Sequence, residues 1–273
     1  GDLDRRVIWT AGCDANIEAQ IDALEFPLVS GAPLVRDFLK RRLESSEAAL
    51  LESLRRQRRF YERALECLAS GRALPKRDYR PAFAHEEDAA AFQTILFWEL
   101  FVPEGETIDP AGIHEAVRRI DDLSGAVAAL PRGKERLLVD LCAELSEPVL
   151  LFTGWTATAR SLTALLSKSR RVALVTGRER TSSAAIEAFR SGAVDVLIST
   201  DVGAEGLNLQ RAGVVIHYDL PWNPVRLDQR NGRAHRIGQT RAAVRAIYFL
   251  PERHRGRVLQ IVAQKNRARR RLL

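Results

Sequence analysis

The stretch Asp228 to Thr240, DQRNGRAHRIGQT, is crowded with groups that handle phosphate and has only Ala234 and Ile237 as apolar residues. Arg233 and Arg236 are spaced so that, on a helix, both guanidinium groups project from one face. One reading is an ordinary solvated helix face. It fails on two counts: Gly232 and Gly238 weaken a helix that needs only to be soluble, and no acidic residue stands four positions from either arginine. Arginine's planar fork suits phosphate clamping, so a polyanion is the alternative. His235 has no second His or Cys nearby, so a structural or cleft role is expected rather than metal ligation.

A second polar stretch, Thr200 to Gln210, reads TDVGAEGLNLQ. Gly203 and Gly206 allow close backbone approach, and Thr200, Asp201, Glu205 and Asn208 surround them with polar groups. A plain strand-to-helix turn with a capping Asp would read the same way. Between the two stretches, HYDLPWNP holds Trp222, best read as a core anchor.

These residues need a scaffold that presents them together. From Pro131 onward, short β-branched runs alternate with helical or mixed segments: VLLFT (149–153), VALVT (172–176), VDVLIST (194–200), VVIHY (214–218) and RAIYFL (245–250). Near-continuous apolar strands separated by helices predict an α/β fold, a parallel sheet with helices on both faces. Ligands bind such sheets at the carboxyl ends of the strands; the stretch Thr200 to Gln210 follows the third strand directly, and Asp228 to Thr240 lies beyond the fourth. Upstream, residues 1–35 are mixed, with one strand-like piece, RRVIWTAG. Val35 to Ser70 is helical by its three- and four-residue apolar spacing, with a kink or a join of two helices at the capping pair Ser45 and Ser46. GRALPKRDYRPAFAHEEDAAAF reads as a linker or insertion, and further helices are expected over 88–101 and 111–129. Residues 251–273 form a basic stretch expected to be an amphipathic helix, packing Val258, Leu259, Ile261 and Val262 with its arginines solvated.

Composition sets outer limits. A net charge of +7 and a pI near 9.8 favour a polyanionic partner. Cys13, Cys67 and Cys142 are far apart and odd in number, so they read as free thiols rather than a disulfide or metal set. The longest apolar run, ILFWELFV, is too short to span a membrane and is interrupted by Glu99. The opening residues do not read as a signal peptide. The chain has no methionine and starts at Gly1, so a piece of a longer protein is expected.

ISTDVGAEGLNLQ, VVIHYDLPWNP and QRNGRAHRIGQ, in that order, resemble motifs V and VI of superfamily-two helicases, specifically the Swi/Snf-like ATP-dependent DNA translocases. The motif VI pattern Q-x-x-G-R-x-H-R-x-G-Q falls on Gln229, Gly232, Arg233, His235, Arg236, Gly238 and Gln239. PRGKERLLVDLCAELSEPVLLFTGWTATARSL resembles the start of the second RecA-like lobe, including motif IV, and LVTGRERTSSAAIEAF resembles the segment that follows. Residues 33–66 resemble, more loosely, the helical segment preceding this lobe in bacterial members.

The resemblance implies a RecA-like lobe over 131–250 and a helical segment with an insertion over 36–130. Residues 1–35 would be a connector from a first motor lobe, and 251–273 the basic terminal helix. It implies that Arg233 and Arg236 act as arginine fingers and that Gln229 contacts the γ-phosphate or attacking water. Gly206, Asn208 and Glu205 would lie near the nucleotide, and Thr200, Gly203, Thr153 and Gly177 at a nucleic-acid phosphate. Such an ATPase also needs a phosphate-cradling G-x-x-x-x-G-K-[ST] loop and an acidic Mg²⁺ box. The Gly133-Lys134 pair is followed by Glu135 and has Ala128 at the first glycine position, and HEED (85–88) follows no apolar strand. ATP and Mg²⁺ are therefore expected to be held mainly by an absent first lobe. The expected partners are that N-terminal RecA-like lobe and double-stranded DNA bound without sequence preference, in a cytoplasmic, nucleoid-associated bacterial protein with no membrane contact. An RNA helicase lobe and a non-catalytic nucleic-acid-binding module are the competing readings. RNA-type motif VI usually begins with His, and position 229 is Gln.

Overall fold

The computed structural model describes residues 2–72, 74–83, 109–176, 182–200, 209–220, 227, 229–232 and 243–252. Six strands, β1 (Asp2–Thr10), β2 (Val149–Thr153), β3 (Val172–Val175), β4 (Val196–Thr200), β5 (Val214–His217) and β6 (Ala243–Pro251), form one sheet in the order β1-β6-β5-β2-β4-β3. Every pairing is parallel.

The strand residues explain why both faces are covered. Val149, Leu151, Val196, Ile198, Val214 and Ile216 belong to one core cluster; Leu150, Phe152, Leu197 and Val215 belong to another on the opposite face. This is the two-residue alternation of a strand with apolar side chains on both sides. Helices α6 (Gly133–Glu144) and α7 (Thr156–Leu166) supply Leu138, Leu141 and Leu162 to the first cluster. Helix α8 (Ser182–Ser191) supplies Phe189 to the second.

A separate, wholly helical core precedes this lobe. Helices α1 (Ala15–Asp22), α2 (Ala32–Ser45), α3 (Glu47–Ala69), α4 (Tyr79–Phe83) and α5 (Pro110–Ala128) gather Ile21, Phe38, Leu50, Tyr61, Phe83 and Ile120 into one cluster. The pair at Ser45 and Ser46 is a join of two helices rather than a kink. Ser46 has extended backbone and its Oγ accepts from the Ala49 amide at 3.1 Å, an N-cap that starts α3. Asp109 caps α5 in the same way, with Pro110 in its first turn.

Residues 1–35, expected as a connector, divide between the two units. β1 pairs with β6 from Asp2↔Ala243 to Thr10↔Pro251 and forms an edge of the sheet, while α1 packs into the helical core. No local pattern can announce a partner strand more than two hundred residues away in the chain. Of the other predicted elements, the helix over 111–129 is α5, whereas the helix over 88–101 and the basic stretch 253–273 lie outside the described residues.

Candidate nucleotide and nucleic-acid site

The carboxyl ends of β2, β4 and β5 bring together Thr153, Thr200 and Asp219. Thr153 is register partner to Thr200, and both are buried. Asp219 lies just past β5 and organises this edge. Its carboxylate accepts from Thr153 Oγ1 at 2.6 Å, from the Gly154 amide at 2.7 Å and from Ser45 Oγ at 2.7 Å. Its backbone carbonyl accepts from Arg230 Nη1 at 2.8 Å, and Arg230 Nη2 stands 3.7 Å from Oδ1. The Arg230 guanidinium also lies over the Phe152 ring, 5.6 Å from its centroid.

Arg230 belongs to the helical stretch 229–232 that opens the arginine-rich motif. Its neighbour Asn231 is held from the same side of the sheet. Asn231 Oδ1 is 2.8 Å from His217 Nε2, and Asn231 Nδ2 donates to the Tyr248 hydroxyl at 3.2 Å. The His217 ring stacks on Tyr248, with centroids 4.7 Å apart. With the Asn231 amide donating to Tyr248, its carbonyl oxygen takes the Nε2 proton of His217. Burial, reinforced by the Arg230 charge, lowers the His217 pKa from 6.5 to about 3, so the ring is a neutral donor.

Arg230 and Asn231 thus clamp this stretch to β5 and β6, while Gln229 points outward and is exposed. A Cβ added at Gly232 would meet nothing within 4 Å.

Three of the expected site residues, Thr153, Thr200 and Gln229, are described. Arg233, Arg236, Gly203, Glu205, Gly206, Asn208 and Gly177 lie outside the described residues, as do His235 and Trp222. Thr153 and Thr200 are both buried, and the Thr153 hydroxyl donates to Asp219 at 2.6 Å. Asp219, Arg230, Asn231 and His217 escaped sequence reasoning. The available signal was a histidine inside the apolar run VVIHY and a charged residue directly after it, both unexpected in a doubly covered strand.

Lys134 of the incomplete Gly133-Lys134 pair has a structural task. Its Nζ donates to the carbonyls of Glu44 and Ser45, at 2.8 and 3.0 Å, and lies 4.1 Å from the Tyr218 ring centroid. It neutralises the carbonyl end of α2. Burial of the ammonium lowers its pKa from 10.5 to about 8, against the opposing pull of Asp219. Among the described residues, no group of three or more His, Cys, Asp or Glu side chains could hold a metal ion. No helix among them is long and apolar enough to cross a membrane.

A parallel sheet buried on both faces, with polar residues at its carboxyl edge and a motif VI helix clamped there, defines a RecA-like lobe. Residues 133–238 match the helicase conserved C-terminal domain family. The chain is 35% identical over 153 residues to the uncharacterized ATP-dependent helicase YqhH of Bacillus subtilis, covering 55% of this chain and 26% of that protein. It is 38% identical over 111 residues to the RNA polymerase-associated protein RapA of Vibrio vulnificus, covering 38% of this chain and 12% of RapA. The chain therefore spans about a quarter or less of these relatives. A crystal structure of the C-terminal part of the Fun30 ATPase domain aligns over 92% of this chain and 86% of that one, with 15% identity and a TM-score of 0.46. Over residues 133–238 the chain is thus similar to the C-terminal domain of helicases.

Proposed function

We propose that this chain is the C-terminal motor lobe of an ATP-dependent translocase on double-stranded DNA, working against an N-terminal RecA-like lobe of the same protein. ATP and Mg²⁺ are held mainly by that first lobe. Arg233 and Arg236 reach across the cleft to stabilise charge on the transferring phosphoryl group, and Gln229 contacts the γ-phosphate or attacking water. Gly206, Asn208 and Glu205 border the nucleotide. Thr200, Gly203, Thr153 and Gly177 lie at a nucleic-acid phosphate. ATP closes the cleft, hydrolysis opens it, and alternating phosphate grips carry the motor along the backbone without reading bases.

The observation that carries this reading is the seating of the motif VI stretch. Arg230 and Asn231 are buried into the sheet edge, while Gln229 is exposed. A clamp of this kind suits a helix that must present side chains outward at fixed positions.

The test is Arg236→Ala in the protein that joins this lobe to its N-terminal counterpart. Nucleic-acid-stimulated ATP turnover should fall by roughly a thousandfold or more, with nucleotide and DNA affinity changed far less. Arg233→Ala should behave alike. Lysine at 236 should not rescue, because a point charge cannot reproduce the planar fork. Near-normal turnover in a folded variant would return the stretch to ordinary surface, and stimulation by RNA in place of DNA would favour an RNA helicase.

A further inference from the structure

The join between α2 and α3 meets the lobe through hydroxyl groups. Ser46 Oγ is 2.7 Å from Thr158 Oγ1, Thr158 Oγ1 is 2.9 Å from Ser45 Oγ, and Ser45 Oγ donates to Asp219 Oδ2 at 2.7 Å. Ser45, Ser46 and Thr158 are all buried. Taken singly, either hydroxyl of the first two pairs could donate. Taken together, only one arrangement satisfies every contact. Asp219 accepts on both oxygens, so the single Ser45 proton goes to it; Thr158 must then donate to Ser45, and Ser46 to Thr158. The Ser46 oxygen in turn accepts from the Ala49 amide at the start of α3.

A directed chain thus runs from the first turn of α3, through α7, to the carboxylate whose residue also holds Arg230. Lys134 fastens the same join from α6 by donating to the Glu44 and Ser45 carbonyls. Hydrogen bonds in such chains polarise one another, and each member lost leaves a buried partner unsatisfied.

We infer that Ser45 and Thr158 are positioning residues through which the helical segment sets the seat of the motif VI helix, by way of Asp219 and Arg230. The helical segment is then no passive insertion: a displacement of the α2–α3 join is passed to the stretch that presents Gln229 and leads into Arg233. What the seated helix does for catalysis rests on the function proposed above, but the coupling itself does not depend on it.

Hydrogen–deuterium exchange on this 273-residue chain tests the coupling without any ATP turnover. Thr158→Val, which keeps the shape and removes the hydroxyl, and Ser45→Ala should each raise exchange at amides 229–232 by about five- to tenfold, the scale of one lost buried hydrogen bond. Exchange in β3 and β4 should stay at the parent level. Thr158→Ser, which keeps the hydroxyl, should restore protection at 229–232. Unchanged exchange at 229–232 in either hydroxyl-free variant overturns the inference. So does a uniform rise across the whole sheet, or a failure of Thr158→Ser to protect 229–232. A lobe with intact coupling but an inactive Arg236-bearing motor would sink the proposed function and leave this inference standing.

Discussion

The His217 imidazole and the Asn231 side chain, 2.8 Å apart, join the buried strand β5 to the helical stretch that opens motif VI. The bond lies inside the lobe, on the face where Tyr248 and Phe152 flank the imidazole ring. Burial and the adjacent Arg230 charge keep His217 neutral there, which places a pH dependence next to the candidate site.

In the folded chain His217 resists protonation down to about pH 3, whereas the unfolded chain takes that proton near pH 6.5. Between these values the unfolded state binds more protons, so the His217 contribution costs stability as pH falls through that window. The urea midpoint of the chain should drop from pH 7 to pH 4. His217→Phe keeps a stacking ring and cannot titrate. It should be less stable at pH 7, because Asn231 loses a partner, and should show a shallower decline on acidification. An equally steep decline would remove His217 from the account.

Asp219 is the most heavily used acceptor at the sheet edge. Asp219→Ala leaves the Ser45 and Thr153 hydroxyls, the Gly154 amide and part of the Arg230 guanidinium without their partner. The expected loss is about 3 kcal/mol or more, the range for breaking a buried charged pair. Equilibrium urea unfolding measures it. Asp219→Asn should cost less, since the amide keeps one acceptor oxygen. A loss of less than about 1 kcal/mol on Ala substitution would mean that water replaces these contacts without penalty.

The purified chain by itself should not turn over ATP above background, with or without DNA. Lys134, the lysine of its incomplete Gly-Lys pair, is occupied by helix carbonyls rather than open to a phosphate. A steady-state phosphate-release assay decides this. DNA-stimulated turnover by the fragment would contradict the two-lobe reading.

The chain should bind DNA weakly and without sequence preference, its affinity falling steeply with salt as counterions are released from the duplex. Its charge of +7 supports such binding. Fluorescence titrations at several salt concentrations, on unrelated duplexes of equal length, read the slope. Tight, salt-insensitive or sequence-selective binding would point to a dedicated recognition module instead.

The sequence by itself determined the fold class. Strands such as VLLFT and VVIH are apolar at nearly every position, which only a sheet covered on both faces tolerates. A break at Ser45 and Ser46 was also legible, because a serine cap satisfies amide donors within a few residues of itself; the structure decided that it joins two helices. Those signals are local. Tertiary structure alone decided which distant groups share one hydrogen-bond network. β1 finds β6 across most of the chain, and Asp219 collects donors from Ser45, Thr153 and Gly154, residues whose types do not mark them as partners. The sequence already set the lone Gly-Lys pair aside as a phosphate loop, but only the coordinates showed its lysine's task, on the end of α2. The physical reason is the same throughout. Periodicity and capping are set by neighbours along the chain, whereas a buried polar group must be satisfied by whatever the packed fold brings within three ångströms of it.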